Sequence, residues 1–191
     1  MSPETEPAFA IWITGLPASG KSTLARALKE RLNARGLDVA VLESDALRKI
    51  LTPNPAYDEH EREIFYQQVA YIGALLVQHG VPVIFDATAN RRAYREDARS
   101  LIPNFLEVYV ECPLEVCMAR DPKGIYRQGR ESHAQNVPGL QTAYEPPESP
   151  EIRVRGDRVQ PDMAADRVIS RLVASGYIDS GDGFGKLAGS L

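Results

Sequence analysis

Only two cysteines and three histidines occur among the 191 residues, and aromatic side chains make up 7% of the chain with a single tryptophan. Two thiols, Cys112 and Cys117, are too few for a disulfide framework and read as small hydrophobes. The histidines, His60, His79 and His133, lack metal-ligand spacing and are assigned to the surface. Basic excess is also missing: 22 Lys and Arg against 26 Asp and Glu leave a formal net charge of -4. A general affinity for nucleic acid or an anionic membrane needs a large basic surface, so neither partner is expected, and any anionic ligand must be held by a local cluster. No uninterrupted apolar stretch reaches bilayer length, and the opening MSPETEPA is acidic and proline-bearing rather than a basic-plus-apolar leader. A soluble, cytoplasmic protein is the expectation. What the chain does have is 43% hydrophobic content, enough at this length for one domain with a sizeable core.

Four short runs, Phe9 to Thr14, Asp38 to Glu43, Val81 to Asp86 and Phe105 to Glu111, are rich in Val, Ile and aromatic residues. Amphipathic stretches lie between them, and this alternation implies a mostly parallel sheet covered on both faces, because parallel neighbours require crossover connections. A first helix is expected from about Lys21 to Arg35, with Leu24, Leu28 and Leu32 on one stripe and Gly36 just past its end. A longer one runs from roughly Asp58 to His79, with Phe65, Val69, Ile72 and Leu76 on one face. The last covers about Asp162 to Ser175, between Pro161 and Gly176. From 121 to 150 prolines and glycines punctuate the chain, with Lys123, Arg127 and Arg130 interleaved, which suits a mobile lid. The expected organisation is a disordered tail over 1–8, one domain over 9–178 and a flexible tail over 179–191.

Residues 15–23, GLPASGKST, match G-x-x-x-x-G-K-[ST] in full, after a predicted strand and at the head of a predicted helix. That context makes Gly15, Leu16, Pro17, Ala18, Ser19, Gly20, Lys21, Ser22 and Thr23 a candidate phosphate cradle. Glycines let successive amides turn toward one anion, and the helix N-terminus adds partial positive charge. Lys21 is expected to reach the β- and γ-phosphates of ATP, and the Ser22 hydroxyl to ligate Mg²⁺. Thr23 supports the helix start or touches a phosphate. The motif alone does not separate kinases from GTPases, ATPases or a binding module.

Two strands end in acid. VAVLESD places Glu43 and Asp45 at the carboxyl edge of the sheet, where ligands of open α/β sheets bind. Asp45 is a candidate to orient or deprotonate an acceptor hydroxyl or to hold the hydration shell of Mg²⁺, and it also fits a helix N-cap for ALRKIL. Asp86, closing VIFD, fits a carboxylate near the metal or a plain turn residue before Asn90. Arg48, Arg62, Arg92 and Arg95 fall on that same side, and several guanidinium forks at one edge suit a second anionic substrate. Arg120, ahead of the lid, is a candidate for the base or phosphates of ATP.

On these residues the chain resembles the adenylylsulfate (APS) kinase family from about Ile11 to Glu151, and weakly on to Ile178. The most specific part is CPLEVCMARDPKGIYRQGR followed by YEPPESPE, similar to the family's PLEVC-x-x-RDPKGLY-x-x-AR and PYEAPE-x-PE. ESDALRKIL is similar to DGDN-x-R-x-GL, which would make Asp45 and Arg48 the matching acid and substrate arginine. Tyr57 falls at a phenylalanine that stacks on the substrate adenine, Arg62 matches the next arginine, and Arg92 and Arg95 match within ISPYR-x-DR. Lys123, within DPKG, carries over as a candidate for substrate anion contacts. Five positions depart from the pattern: Glu43 stands for aspartate, Phe65 for a substrate-contacting asparagine, Gln68 for arginine, Ala89 for serine, and Val137 for a second aromatic against the adenine. VIFDATANRRAYR resembles instead the broader small-molecule and polynucleotide kinases.

The resemblance implies an α/β P-loop NTPase/kinase fold, with a five-stranded mostly parallel sheet flanked by helices and a mobile lid. It further implies ATP and Mg²⁺ as cofactors and phosphorylation of the 3′-hydroxyl of adenylyl sulfate, a small-molecule substrate of sulfate assimilation, by a homodimer. Transfer to another nucleotide-linked or small alcohol stays open, as does a module that binds nucleotide without turnover.

Overall fold

The computed structural model describes residues 8–180. In chain order its elements are β1 (Ala10–Thr14), α1 (Lys21–Ala34), β2 (Ala40–Glu43), α2 (Ser44–Leu51), α3 (Glu59–Gln78), β3 (Val83–Asp86), α4 (Arg92–Leu101), β4 (Phe105–Glu111), α5 (Leu114–Arg120), α6 (Ile125–Arg130), β5 (Ile152–Arg155) and α7 (Pro161–Ala174). Alternate residues of β1 feed two separate cores, because successive side chains of a strand point to opposite faces. Ile11 and Ile13 pack with Leu24, Leu28 and Leu32 of α1 and with Val168 and Leu172 of α7. Ala10 and Trp12 face Phe65 and Val69 of α3 and Tyr94 and Ala98 of α4. A strand covered on both faces needs a near-continuous apolar run, which is why AIWIT and VIFD are buried throughout.

The sheet order is β2-β3-β1-β4-β5, and every neighbouring pair is parallel. The α/β fold with a five-stranded parallel sheet flanked by helices is therefore as expected. β5 is the strand left unlocated by the sequence; it lies at the sheet edge, and its IRVR alternates arginine with apolar residues. Register positions the chemistry: Asp86 is opposite Ile13 on one side and Glu43 on the other, so the acidic ends of β2 and β3 lie at one level. After β1 the chain supplies β2 and β3 to one side and β4 to the other, which opens the crevice where ligands of such sheets bind.

Local signals set the boundaries. Gly36 takes the left-handed conformation at φ 80° and donates to Asn33 O, while Leu37 N donates to Leu32 O, and these two bonds close α1. Asp58 caps α3 by accepting from Glu61 N at 2.8 Å. The 121–150 stretch contains α6, whose Tyr126 hydroxyl donates to Pro17 O at 3.1 Å. Burial pushes the Cys117 thiol up to about 12, as suits an inert, buried hydrophobe. The expected tails fall largely outside the described residues; Ala8, placed in the first of them, is buried and accepts from Asn104 Nδ2 at 3.2 Å. No helix among the described residues is long and apolar enough to cross a membrane.

Candidate active site

The turn between β1 and α1 is shaped by close approach. Gly15 has φ 152°, and a Cβ there would stand 2.5 Å from Val110 O and 2.8 Å from Ser19 Oγ. Gly20, at φ 109°, heads α1 with no side-chain cap, and no acid occupies the first turn. The leading amides of α1 are thus left for an outside acceptor, and the helix dipole favours an anion there. Lys21 Nζ is buried and donates to Leu16 O at 2.8 Å. Burial lowers its pKa, while Asp86 and Asp45 pull it back up.

This loop forms one wall of a cavity of about 880 Å³ that Pro17, Ala18, Gly20, Lys21, Ser22 and Thr23 line. Leu16 turns instead into the apolar cluster around Cys117 and Tyr126. Ser19 and Gly20 border a second cavity of about 240 Å³, next to Arg120, whose Nη1 donates to Gly156 O at 3.0 Å.

Glu43, Asp45 and Asp86 line the large cavity. Asp45 is not the N-cap of α2. The helix begins at Ser44 with Glu43 as its cap residue, so Asp45 lies in the first turn and its carboxylate is free for another partner. That partner is Lys123 from the 121–150 stretch, whose Nζ reaches Asp45 Oδ2 at 2.6 Å and Glu43 Oε1 at 3.9 Å. The bond to Asp45 raises the Lys123 pKa. Both side chains are about half exposed, which makes the pair a weak tie. Asp86 is buried at the end of β3, on the strand and not in a turn.

The same cavity is also lined by Arg48, Tyr57, Arg62, Tyr66 and Val137. The Arg48 guanidinium lies 3.9 Å from the centre of the Phe65 ring and 5.1 Å from that of Tyr57. Phe65 is fully buried in the core, as its helical stripe implies, and it also forms the floor beneath Arg48. Arg62 donates Nε to Tyr57 O at 3.0 Å, Nη1 to Asn90 Oδ1 at 3.0 Å and Nη2 to Asn136 O at 2.6 Å. Burial lowers its pKa.

Two expected arginines are not brought to the cavity. Arg92 pairs with Glu145 and Glu148 on the outer side of α4, because the helix phase turns it toward the end of the 121–150 stretch. Arg95 is buried, holding Glu107 Oε1 at 2.6 Å and Glu145 O at 2.8 Å. Sequence reasoning missed Asn90, which accepts from Arg62 and donates Nδ2 to Ala143 O at 3.1 Å, and Glu61, which accepts from Arg48 Nη1 at 2.7 Å. Glu61 belongs to no motif, and Asn90, though inside VIFDATANRRAYR, was read only as the residue after a turn. The only available signal for Glu61 was an acid three residues after the cap Asp58. His133, assigned to the surface, is exposed but lines the large cavity.

A glycine cradle at a helix N-terminus, acids at adjoining strand ends and arginines lining the same cavity define a kinase of the P-loop class. The family can be narrowed further. A model of adenylylsulphate kinase matches residues 7–155. The chain is 39% identical over 170 residues to a probable adenylyl-sulfate kinase of Pyrococcus abyssi, covering 89% of this chain and 98% of that protein. It is 38% identical over 168 residues to an adenylyl-sulfate kinase of a Synechococcus strain, covering 88% and 96%. The solved APS kinase of Mycobacterium tuberculosis in complex with AMPPNP and APS superposes with a TM-score of 0.82 at 30% identity, over 87% of this chain and 98% of that one. The chain belongs to the adenylylsulphate kinase family.

Proposed function

We propose that this protein transfers the γ-phosphoryl group of ATP to the 3′-hydroxyl of adenylyl sulfate, giving 3′-phosphoadenylyl sulfate for sulfate assimilation. The observation that carries this is one cavity lined together by residues of the phosphate loop, by Arg48, Tyr57 and Arg62, and by Asp45. The relative solved with AMPPNP and APS supports both substrates.

In this mechanism the leading amides of α1, at Lys21, Ser22 and Thr23, and the Lys21 ammonium hold the triphosphate, with Arg120 at the nucleotide end. Arg48 and Arg62 hold the anionic acceptor, and Tyr57 stacks on its adenine. Val137 offers no second ring, so one aromatic face carries the stacking, worth roughly 1–3 kcal/mol. Asp45 aligns the 3′-hydroxyl and accepts its proton as the oxygen attacks phosphorus and the bond to ADP breaks. Phosphoryl transfer demands chiefly alignment and charge stabilisation, both of which these groups supply. Lys123 must exchange its bond to Asp45 for a substrate oxygen during the cycle, because the free carboxylate is needed to accept a proton.

The donor set suits Mg²⁺. Ser22 hydroxyl, Asp45 and Asp86 are hard oxygen groups lining one cavity, whereas no cluster of three or more His, Cys, Asp or Glu among the described residues could hold a metal alone. Mg²⁺ keeps waters and phosphate oxygens rather than an all-protein cage, so this sparse set fits it. Ser22 would ligate it and Asp86 would hold its hydration shell. When bound, it neutralises charge on the β- and γ-phosphate oxygens.

The test is ADP release from MgATP with a panel of alcohols and identification of the product. Stimulation by adenylyl sulfate with 3′-phosphoadenylyl sulfate as product is expected, and no stimulation by it overturns the assignment. A homodimer belongs to the same proposal; sedimentation equilibrium giving only the monomer mass overturns that part.

A further inference from the structure

Glu61 does not line the cavity, yet it touches three residues that do. Its Oε1 accepts from Arg48 Nη1 at 2.7 Å. Its Oε2 accepts from Tyr57 N at 3.0 Å and also from Ala56 N. One carboxylate therefore ties the α2 arginine to the 52–58 loop that carries the tyrosine. Its own position is fixed because Glu61 N donates to the α3 cap, Asp58 Oδ1.

Tyr57 needs such a hold. Its φ of 56° lies in the left-handed region, where a bulky non-glycine residue is disfavoured by about 1–3 kcal/mol. Left alone, the loop would relax to an ordinary conformation and turn the ring elsewhere. The residue is instead pinned from both sides, at N by Glu61 and at O by Arg62 Nε. The pinned ring stays partly exposed, beside Arg48 and 5.9 Å from the Arg62 guanidinium.

Arg48 needs one as well. Its guanidinium lies over Phe65, a ring that attracts the cation but cannot direct its N–H groups, and Glu61 supplies a directed ionic bond from the side. Arg48 is nearly buried, so removing Glu61 would leave a desolvated cation free to turn.

We propose that Glu61 is the positioning residue of the acceptor site, setting the Arg48 fork and the Tyr57 ring together for an anionic nucleotide while leaving the ATP side untouched. This deepens the assignment of adenylyl sulfate as acceptor and rests on it.

The test compares wild type, Glu61→Gln and Glu61→Ala by steady-state kinetics with MgATP and adenylyl sulfate, and by hydrogen exchange at the amides of residues 56 and 57. Glu61→Ala should raise KM for adenylyl sulfate roughly tenfold or more, as expected for loss of a charged hydrogen bond, with KM for ATP unchanged. Glu61→Gln keeps the shape and an acceptor oxygen, so it should restore part of the KM and most of the amide protection. Faster exchange at 56 and 57, with the phosphate-loop amides unaffected, is expected in Glu61→Ala only. An unchanged KM for adenylyl sulfate in a folded Glu61→Ala protein, or equal rises in both KM values, overturns the proposal. Wild type that ignores adenylyl sulfate while Glu61→Ala loosens residues 56 and 57 would refute the acceptor and uphold the positioning. Unaltered exchange in that case would refute both.

Discussion

At Lys21 burial and charge act in opposition, and the balance has a measurable sign. Desolvation lowers its pKa from 10.5, against the pull of Asp86 and Asp45. A triphosphate beside the ammonium favours the charged form, so ATP binding raises that pKa again and takes up a proton wherever the free enzyme has begun to lose it. ATP affinity should therefore weaken as pH rises toward 10.5, starting below that value, and calorimetry in buffers of different ionisation enthalpy should register proton uptake there. Lys21→Arg, which does not titrate in this range, should bind ATP more weakly but without this pH dependence; an identical slope in the two proteins would exclude Lys21 as the source. Asp45 gives a second case. Asp45→Asn keeps shape but removes the proton acceptor, so kcat should drop by about 10²- to 10⁴-fold with the ATP dissociation constant unchanged. Turnover within a few-fold of wild type would show that another group, or water, takes the proton.

Element packing turns on one small residue. Gly73 of α3 faces β3, and a Cβ added there would overlap the Phe85 ring, which itself stacks on Trp12 at 4.5 Å between centroids. Gly73→Ala, otherwise favourable in a helix, should here destabilise by about 1–3 kcal/mol in urea unfolding, because the ring has no free side to move into. A neutral or stabilising result would mean that α3 can lift from the sheet at no cost. Elements whose faces decide their burial were legible in the sequence. Phe105–Glu111 was bounded without error, and α1, α3 and α7 to within about a residue, since apolar period and glycine stops both report on them. β5 was not located, because an edge strand of four residues with alternating arginines has the composition of a loop. α6 was hidden in a stretch read from its prolines and glycines. In the site, the glycine loop, Asp45, Arg48 and Arg62 were legible because motif spacing and strand ends place them. Arg92 was misassigned because counting residues after a strand does not fix the helical phase that turns it to Glu145. Asn90 stayed hidden because its bonds exist only once α3, β3 and the 121–150 stretch are assembled, and Glu61 because its bonds need α2 and the 52–58 loop packed against α3.

Across the whole molecule, the 121–150 stretch is tied unequally at its two ends. Toward its start, Lys123 reaches Asp45 through a half-exposed pair, which can open at little cost. Toward its end, Glu145 N donates to Asn90 O at 2.7 Å, Arg95 Nη2 donates to Glu145 O at 2.8 Å, and the Tyr144 hydroxyl meets Thr14 Oγ1 at 3.1 Å. Between these ends the Tyr126 hydroxyl on Pro17 O and Arg62 Nη2 on Asn136 O also hold the stretch, so only the Lys123 contact opens cheaply, about a pivot near residue 145. The pivot is backed by Glu151, which accepts from Arg99 Nη1 at 2.7 Å, Arg99 Nη2 at 2.9 Å and Glu107 N at 2.7 Å, joining α4 to β4 just before β5. Burial alone would raise the Glu151 pKa, but the Arg99 fork and the backbone donors outweigh it and hold the carboxyl below its ordinary 4.5. A folded-state pKa below the unfolded value means stability that is present above about 4.5 and lost as pH falls through the folded-state value. Glu151→Gln should therefore unfold more easily than wild type at neutral pH by roughly 1–2 kcal/mol, a figure kept low because Arg99 is partly exposed. The gap should shrink as pH falls below 4.5 and close once the wild-type carboxyl is protonated. Urea melts of both proteins across that range provide the measurement. A constant gap at every pH would assign the loss to shape rather than charge, and no gap at neutral pH would remove Glu151 from the support of the pivot.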